Sequence, residues 1–194
     1  MLRVALAYSF AVAFSAASGQ DVEYIRALER AQQHRPATIT SSSRIAPPGE
    51  RGTPMILKGR VVDRNGAPAP GTIVFAYHTD HSGLYDQPGA GAHSWRLKGW
   101  AKADGDGRFT FQTIRPGPYP QRDAPAHVHF TVFVPTGERY HGGEVKFDDD
   151  PLVPEHERDL SKRAGDYGEV RTVRHDGGAE HVEFTLRVDP DQRL

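Results

Sequence analysis

Apolar residues follow two rhythms along this chain. Between Asp21 and Gln33, Val22, Ile25, Ala27, Leu28 and Ala31 recur at helical spacing, with Asp21 placed to cap the start and Pro36 just past the end. One short helix is predicted there. From residue 55 onward the rhythm shortens to alternation in brief runs, which predicts strands at Ile56–Asp63, Thr72–Tyr77, Gly99–Ala103, Arg108–Thr113, His127–Val134, Glu144–Phe147, Glu169–Arg174 and Glu180–Val188. Asn65-Gly66, Asp104–Gly107 and Asp176-Gly177-Gly178 punctuate them, and Gly and Asn tolerate the positive φ of tight turns. Residues 38–54 are rich in Ser, Pro and Gly without periodicity and read as an arm. The sum is an all-β fold, an antiparallel sandwich with a short N-terminal helix and arm.

The first twenty residues place Arg3 before an apolar stretch from Val4 to Phe14 and then a run of small residues. That is the pattern of a cleaved export signal, and the stretch is shorter than the ~20 residues a membrane-spanning helix needs. The chain therefore divides into a signal peptide at 1–19, a helix and arm at 20–54 and a sandwich at 55–194. Export to a periplasm or the cell exterior follows, with no membrane attachment after cleavage.

Composition narrows the function. At 194 residues the chain supports one core of ordinary size, and 24 basic against 25 acidic residues leave a formal charge of −1. No overall field recruits nucleic acid or an anionic membrane. Cysteine is absent, so disulfides, thiolate metal sites and cysteine nucleophiles are excluded together, and any metal is held by nitrogen and oxygen. Asp104–Gly107 resembles part of a calcium loop but lacks the closing Glu, which favours a plain hairpin. Asp148-Asp149-Asp150 before Pro151 reads as a solvated turn.

The strongest chemical signal is Pro125-Ala126-His127-Val128-His129-Phe130-Thr131-Val132-Phe133-Val134. In a strand, Val128, Phe130, Val132 and Val134 share one face and the two histidines share the other. Two imidazoles at i, i+2 suit one metal ion, against the alternative of two surface histidines. The first acid after His129 is Glu138, beyond Pro135 and Gly137, a spacing that does not match a cupin. Upstream, Pro116-Gly117-Pro118-Tyr119-Pro120 holds a tyrosine between prolines, whose fixed φ leaves the loop little freedom. Tyr85 lies in a loop after the strand that ends near Tyr77.

Taken together, Tyr85, Leu97-x-Gly99, Thr113-Ile114-x-Pro116-Gly117-Pro118-Tyr119-Pro120, Pro125-Ala126-His127-Val128-His129-Phe130 and Phe147 through Asp150-Pro151-Leu152 resemble the intradiol ring-cleavage dioxygenases. The resemblance implies an immunoglobulin/transthyretin-like β-sandwich carrying one Fe(III) on Tyr85, Tyr119, His127 and His129. It further implies that a catechol-type diol and O2 are the substrates and a muconate-type diacid the product. Tyr119 would stay on the metal while Tyr85 leaves as substrate binds. Two positions depart from the family pattern: Ala124 stands where an Arg is common, and Glu144 where a Gln is common. Arg122 is the candidate to replace the missing cation on the substrate side.

Two other readings remain. Gly59 through Pro68 looks like the opening hairpin of transthyretin-like binding modules, which need no His127, His129 or Tyr119. A copper or zinc ion on the His-x-His pair keeps a metal but changes it. Trp95 and Trp100, at the exit of the Gly/Ala-rich loop 87–94, either shape a pocket or anchor the sandwich. The oligomeric state is not encoded in any of these patterns.

Overall fold

The computed structural model describes residues 19–86, 95–120 and 124–194. The predicted signal peptide, up to residue 18, the loop 87–94 and Arg122 lie outside the described residues. Helix α1 runs from Gly19 to Gln32, starting slightly before the predicted Asp21. In chain order the strands are β1 Ser42–Arg44, β2 Pro54–Val62, β3 Ile73–His78, β4 Leu97–Lys102, β5 Arg108–Ile114, β6 His127–Phe133, β7 Arg139–Phe147, β8 Val170–Arg171, β9 Arg174–Asp176 and β10 Ala179–Arg187. A second helix, α2, spans Glu155–Ala164.

The strands form two five-stranded sheets, ordered β1-β5-β2-β10-β9 and β4-β3-β6-β7-β8. Leu57, Val61, Phe109, Phe111 and Phe184 of the first sheet meet Val74, Val128, Phe130, Val132 and Phe147 of the second in one buried cluster. The expectation of a purely antiparallel sandwich is corrected: β1 with β5, β2 with β10 and β7 with β8 pair in parallel. Alternation tells which residues share a face but not which way a strand runs. Strands such as β2 and β10, far apart in sequence, have the long connection that parallel pairing needs.

Two elements were invisible to periodicity. Strand β1 is three residues of the polar arm, recruited by pairing Ser42 with Thr110 and Arg44 with Gln112. Helix α2 has no buried residue, so it carries no apolar stripe to read. Polar contacts hold it instead: Arg158 donates to the carbonyls of Asp148, Asp150 and Val153, and Lys146 pairs with Glu157 at 2.8 Å. The predicted strand at Glu169–Arg174 is split into β8 and β9, and β7 begins at Arg139 rather than Glu144.

Strand β3 is covered on both faces. Val74 and Ala76 face the opposite sheet, while Phe75 and Tyr77 join Ala27, Leu28 and Ala31 of α1 with Trp95 and Trp100 in a second cluster. Leu28 is fully buried, which stabilises the docked helix by ~1.5–3 kcal/mol. Strand β6 lies beside β3 with His129 opposite Tyr77 and Thr131 opposite Phe75. Residues directly opposite in an antiparallel pair share a face. His129 therefore emerges under α1, on the outer side of the second sheet.

Candidate metal centre

Three local devices bring the tyrosines and histidines to one place. The first is a turn at Asp80, whose Oδ1 accepts from the backbone N–H and hydroxyl of Ser82 and from the N–H of Leu84. Although burial works to raise the Asp80 pKa, these bonds hold its carboxyl below the usual range. The turn fixes the path from β3 to Tyr85. It also grips the proline-rich loop, since Gly117 N–H donates to Asp80 O at 2.8 Å and Thr79 Oγ1 donates to Gly117 O at 2.7 Å. Gly83 sits at φ +85, where a Cβ would stand 2.0 Å from Pro118 O, so the two tyrosine-bearing loops are in backbone contact.

The second device is Asp150. Its carboxylate accepts from Ala126 N–H at 2.8 Å and Leu152 N–H at 2.9 Å, tying the entry to β6 onto the turn after β7. Asp150 is 7 % exposed, which corrects the expectation of a solvated turn for this residue. The third device acts on the imidazoles themselves. His127 donates from Nδ1 to Pro125 O at 2.7 Å, and His129 Nδ1 lies 3.2 Å from the Glu144 carboxylate. A carbonyl and an ionised carboxylate only accept, so both rings carry their proton on Nδ1 and present Nε2 lone pairs.

The four side chains singled out as ligands close a ring of contacts. Tyr85 Oη is 2.8 Å from Tyr119 Oη and 2.7 Å from His129 Nε2. His129 Nε2 is 2.9 Å from His127 Nε2, which is 3.4 Å from Tyr119 Oη. Ligands about 2.0–2.1 Å from one ion stand about 2.8–3.4 Å from their neighbours at ordinary coordination angles. Two acceptor nitrogens at 2.9 Å also call for a cation or a proton between them. The donor set, two phenol oxygens with two imidazoles, fits a hard ion of high charge.

The electrostatics agree. Burial, then the neighbouring His129, lowers the His127 pKa, which disfavours the imidazolium form. Burial, then the hydrogen bond with Tyr119, pushes the Tyr85 phenol far above its ordinary value. It loses its proton only to a strong positive charge. Burial works upward on Glu144 as well, but the hydrogen bond from His129, together with the two imidazoles and Lys146, holds its carboxyl at about 2. Glu144 therefore faces His129 as an anion and also lies 3.5 Å from Lys146.

A cavity of about 430 Å³ opens beside Tyr85, Tyr119 and His129, walled by Tyr77 and Trp95 and by Glu23, Tyr24 and Ala27 of α1. Tyr24 is fixed there by a 2.7 Å bond to Thr131 Oγ1 and by stacking on His141. The wall supplied by α1 was not anticipated from sequence, where the helix showed only a packing stripe. Both roles considered for the tryptophans occur: Trp95 and Trp100 are buried anchors, and Trp95 also lines the cavity.

A larger hollow of about 680 Å³ lies between α2 and β10. Its Arg158 and Arg171 are spent on backbone carbonyls. Asp149, His175 and Glu180 form another compact polar group, but Arg115 already pairs with both acids, which makes it an ion-pair network.

The comparisons with known proteins point the same way. A sequence model of a family described as dioxygenase matches residues 28–188. The chain is 32% identical over 103 residues to a 6-chlorohydroxyquinol 1,2-dioxygenase of Cupriavidus pinatubonensis, covering 45% of this chain and 37% of that protein. It is 34% identical over 121 residues to the protocatechuate 3,4-dioxygenase beta chain of Burkholderia cepacia, covering 55% and 48%. It thus spans less than half the length of these curated relatives. Among solved structures, the dioxygenase domain of a dioxygenase carbohydrate-binding protein fusion from Streptomyces sp. SirexAA-E superposes with a TM-score of 0.58 at 24% identity, covering 79% of this chain and 93% of that one. Catechol 1,2-dioxygenase from Acinetobacter sp. ADP1 gives 0.59 at 19% identity, covering 90% and 69%. At these identities the structural likeness concerns the fold. With the family model matched over most of its length, the chain belongs to the intradiol ring-cleavage dioxygenases.

Proposed function

We propose that this protein is an exported, Fe(III)-dependent dioxygenase that opens a catechol-type ring between its two hydroxyl-bearing carbons. The observation that carries the reading is the closed ring of Tyr85, Tyr119, His127 and His129 donor atoms at 2.7–3.4 Å. Zinc or copper on the histidines alone would leave two half-buried phenols beside them without a role. The names of the relatives, which include catechol, chlorocatechol and protocatechuate dioxygenases, support the substrate class. The sandwich is then of the immunoglobulin/transthyretin-like kind.

Ferric iron, when bound, supplies the Lewis acidity that holds an aromatic diol as its dianion and activates it toward O2. The protein does the rest. Tyr119, stiffened by Pro118 and Pro120, and the two Nδ1-anchored histidines remain as fixed donors. Tyr85 would be the ligand that gives way to substrate, its phenol oxygen taking up one of the two protons that the diol sheds while the other passes to solvent. The aromatic wall of Tyr24, Tyr77 and Trp95 orients the ring and limits water. Arg122, placed in sequence between Tyr119 and His127, supplies a cation for the negative charge that develops on the ring as O2 adds. Both oxygen atoms enter the diacid.

Metal analysis of the purified protein, with oxygen uptake on a panel of catechols, tests the reading. Stoichiometric iron, a visible charge-transfer colour and one O2 consumed per diol are expected. Zinc in place of iron, or no uptake with any diol, overturns it. Export is tested separately by N-terminal sequencing of secreted protein, which should begin near Gln20; retention of Met1 refutes it.

A further inference from the structure

The two histidines are held by unlike partners. His127 gives its Nδ1 proton to the neutral carbonyl of Pro125, whereas His129 gives its own to the Glu144 carboxylate. The second contact is built by a fault in the sheet. Strands β6 and β7 pair in one register over Thr131–Phe133 and in another, one residue displaced, over His127–His129. Gly142 and Gly143 absorb the extra residue. Gly143 sits at φ +75, and a Cβ on Gly142 would come within 2.8 Å of the Phe130 Cβ. Continued without the bulge, the pairing would set Gly143 opposite His129. The bulge sets Glu144 there instead, a re-aiming of a side chain that such irregularities achieve at functional sites.

The charge of Glu144 is not cancelled by its surroundings. Lys146 Nζ lies 3.5 Å from it but also 2.8 Å from Glu157 of α2 and 3.5 Å from Glu169. One ammonium among three carboxylates leaves the group behind His129 net negative, and the shortest contact goes to Glu157.

Building on the iron reading above, we propose that Glu144 is a positioning residue that acts through His129 to bias the centre toward a trivalent over a divalent ion. Glu144 alone of these carboxylates touches a ligand ring, and with the two phenolates it sets three negative charges against the +3 of a trivalent ion. With a divalent ion the same set leaves excess negative charge in a partly buried pocket, which is costly. A carboxylate on Nδ1 also makes the imidazole a stronger donor and fixes its orientation. Glutamine, common at this position among proteins that the sequence resembles, would keep a hydrogen bond to the ring and lose the charge. Glu144→Gln therefore separates charge from geometry.

The experiment compares iron-loaded wild type with Glu144→Gln, reading the Fe(III)/Fe(II) potential and the wavelength of the phenolate-to-iron band. The variant is expected to favour Fe(II) about tenfold more, a positive shift of about 59 mV for a one-electron couple, and its band should move to longer wavelength. An unchanged potential and band overturn the proposal, whatever happens to turnover. If the variant fails to retain iron, the metal-free wild type reads the same contact by nitrogen-resolved NMR. The His129 proton should be on Nδ1 and shifted strongly downfield, and a ring protonated on Nε2 overturns the proposal. Failure of wild type itself to show iron and colour is a different result, which removes the functional reading and this inference together.

Discussion

The phenol oxygen of Tyr85 stands 2.7 Å from Nε2 of His129, a contact between residues 44 positions apart. It joins the loop after β3 to strand β6, and Tyr119 enters the same point from a third segment at 2.8 Å from Tyr85. The site is therefore assembled by tertiary structure and collapses if any one segment moves.

Replacing each tyrosine by phenylalanine tests that assembly. On the iron reading, Tyr119 is the phenolate that stays bound, so in Tyr119→Phe iron content and most of the visible absorption should fall. On the same reading Tyr85 is the ligand that leaves, so in Tyr85→Phe iron should be retained while turnover falls by a power of ten or more, about 1.4 kcal/mol in barrier height. Iron analysis, visible spectra and oxygen uptake on the two variants check this. Spectra identical to wild type in both would end the four-ligand reading.

Gly83 is the point where the loops touch. In Gly83→Ala the new Cβ would lie 2.0 Å from Pro118 O at a φ of +85, so backbone must shift and Tyr119 moves away from Tyr85. We expect a loss of ~1–3 kcal/mol in stability together with reduced iron binding. Gly49→Ala is the control, since its φ is +81 but nothing lies within 4 Å of the added carbon. That variant should carry only the backbone cost and bind iron as wild type does. Thermal unfolding and iron stoichiometry separate the two.

Much of the fold and of the site is legible in the sequence, and the reasons are particular. The alternation around His127 and His129 located β6 and its two faces, because a buried strand must alternate when its faces have different neighbours. Prolines flanking Tyr119 marked a rigid loop. The sequence could not show that the histidine face is roofed by α1, since the helix stripe of Ala27, Leu28 and Ala31 states only that something is covered. Nor could it place Glu144 opposite His129: a bulge changes register by one residue, and glycine pairs such as Gly142-Gly143 occur in many turns. Strand β1 and helix α2 escaped because polar contacts with distant segments hold them.

Leu28 tests the roof. Its side chain is fully buried between α1 and the second sheet, so Leu28→Ala should cost ~2–5 kcal/mol in denaturant unfolding. If α1 is also the pocket wall, KM for the best diol should rise. Val22→Ala, at a position 44 % exposed on the same helix, should change neither quantity. A Leu28→Ala protein that is destabilised but binds substrate normally would confine α1 to a packing role.

His78 gives the fold a defined response to acid. The ring is fully buried, with Nδ1 donating to Thr79 O and Nε2 accepting from Thr113 Oγ1, each at 2.6 Å. Burial lowers its pKa from 6.5 to about 4 despite the opposing bond to Thr79. The neutral ring is the form that fits, so the native state resists protonation while the unfolded chain takes up a proton below pH 6.5. Between pH 6.5 and about 4 the unfolded state binds the extra proton, and stability rises with pH across that window. Acidification from pH 7 to 4 should thus remove about 3 kcal/mol through this one residue, at 1.36 kcal/mol per unit. The carboxyls of Asp80 and Asp149, held below their ordinary value of 3.8, add their loss as the pH falls below that value, where the unfolded chain takes up protons that the folded one resists. Denaturant unfolding at successive pH values on wild type and His78→Gln separates the contributions. The variant should start less stable at pH 7 and lose less between pH 6.5 and 4. Parallel curves over that window would show that His78 is not the group that senses acid.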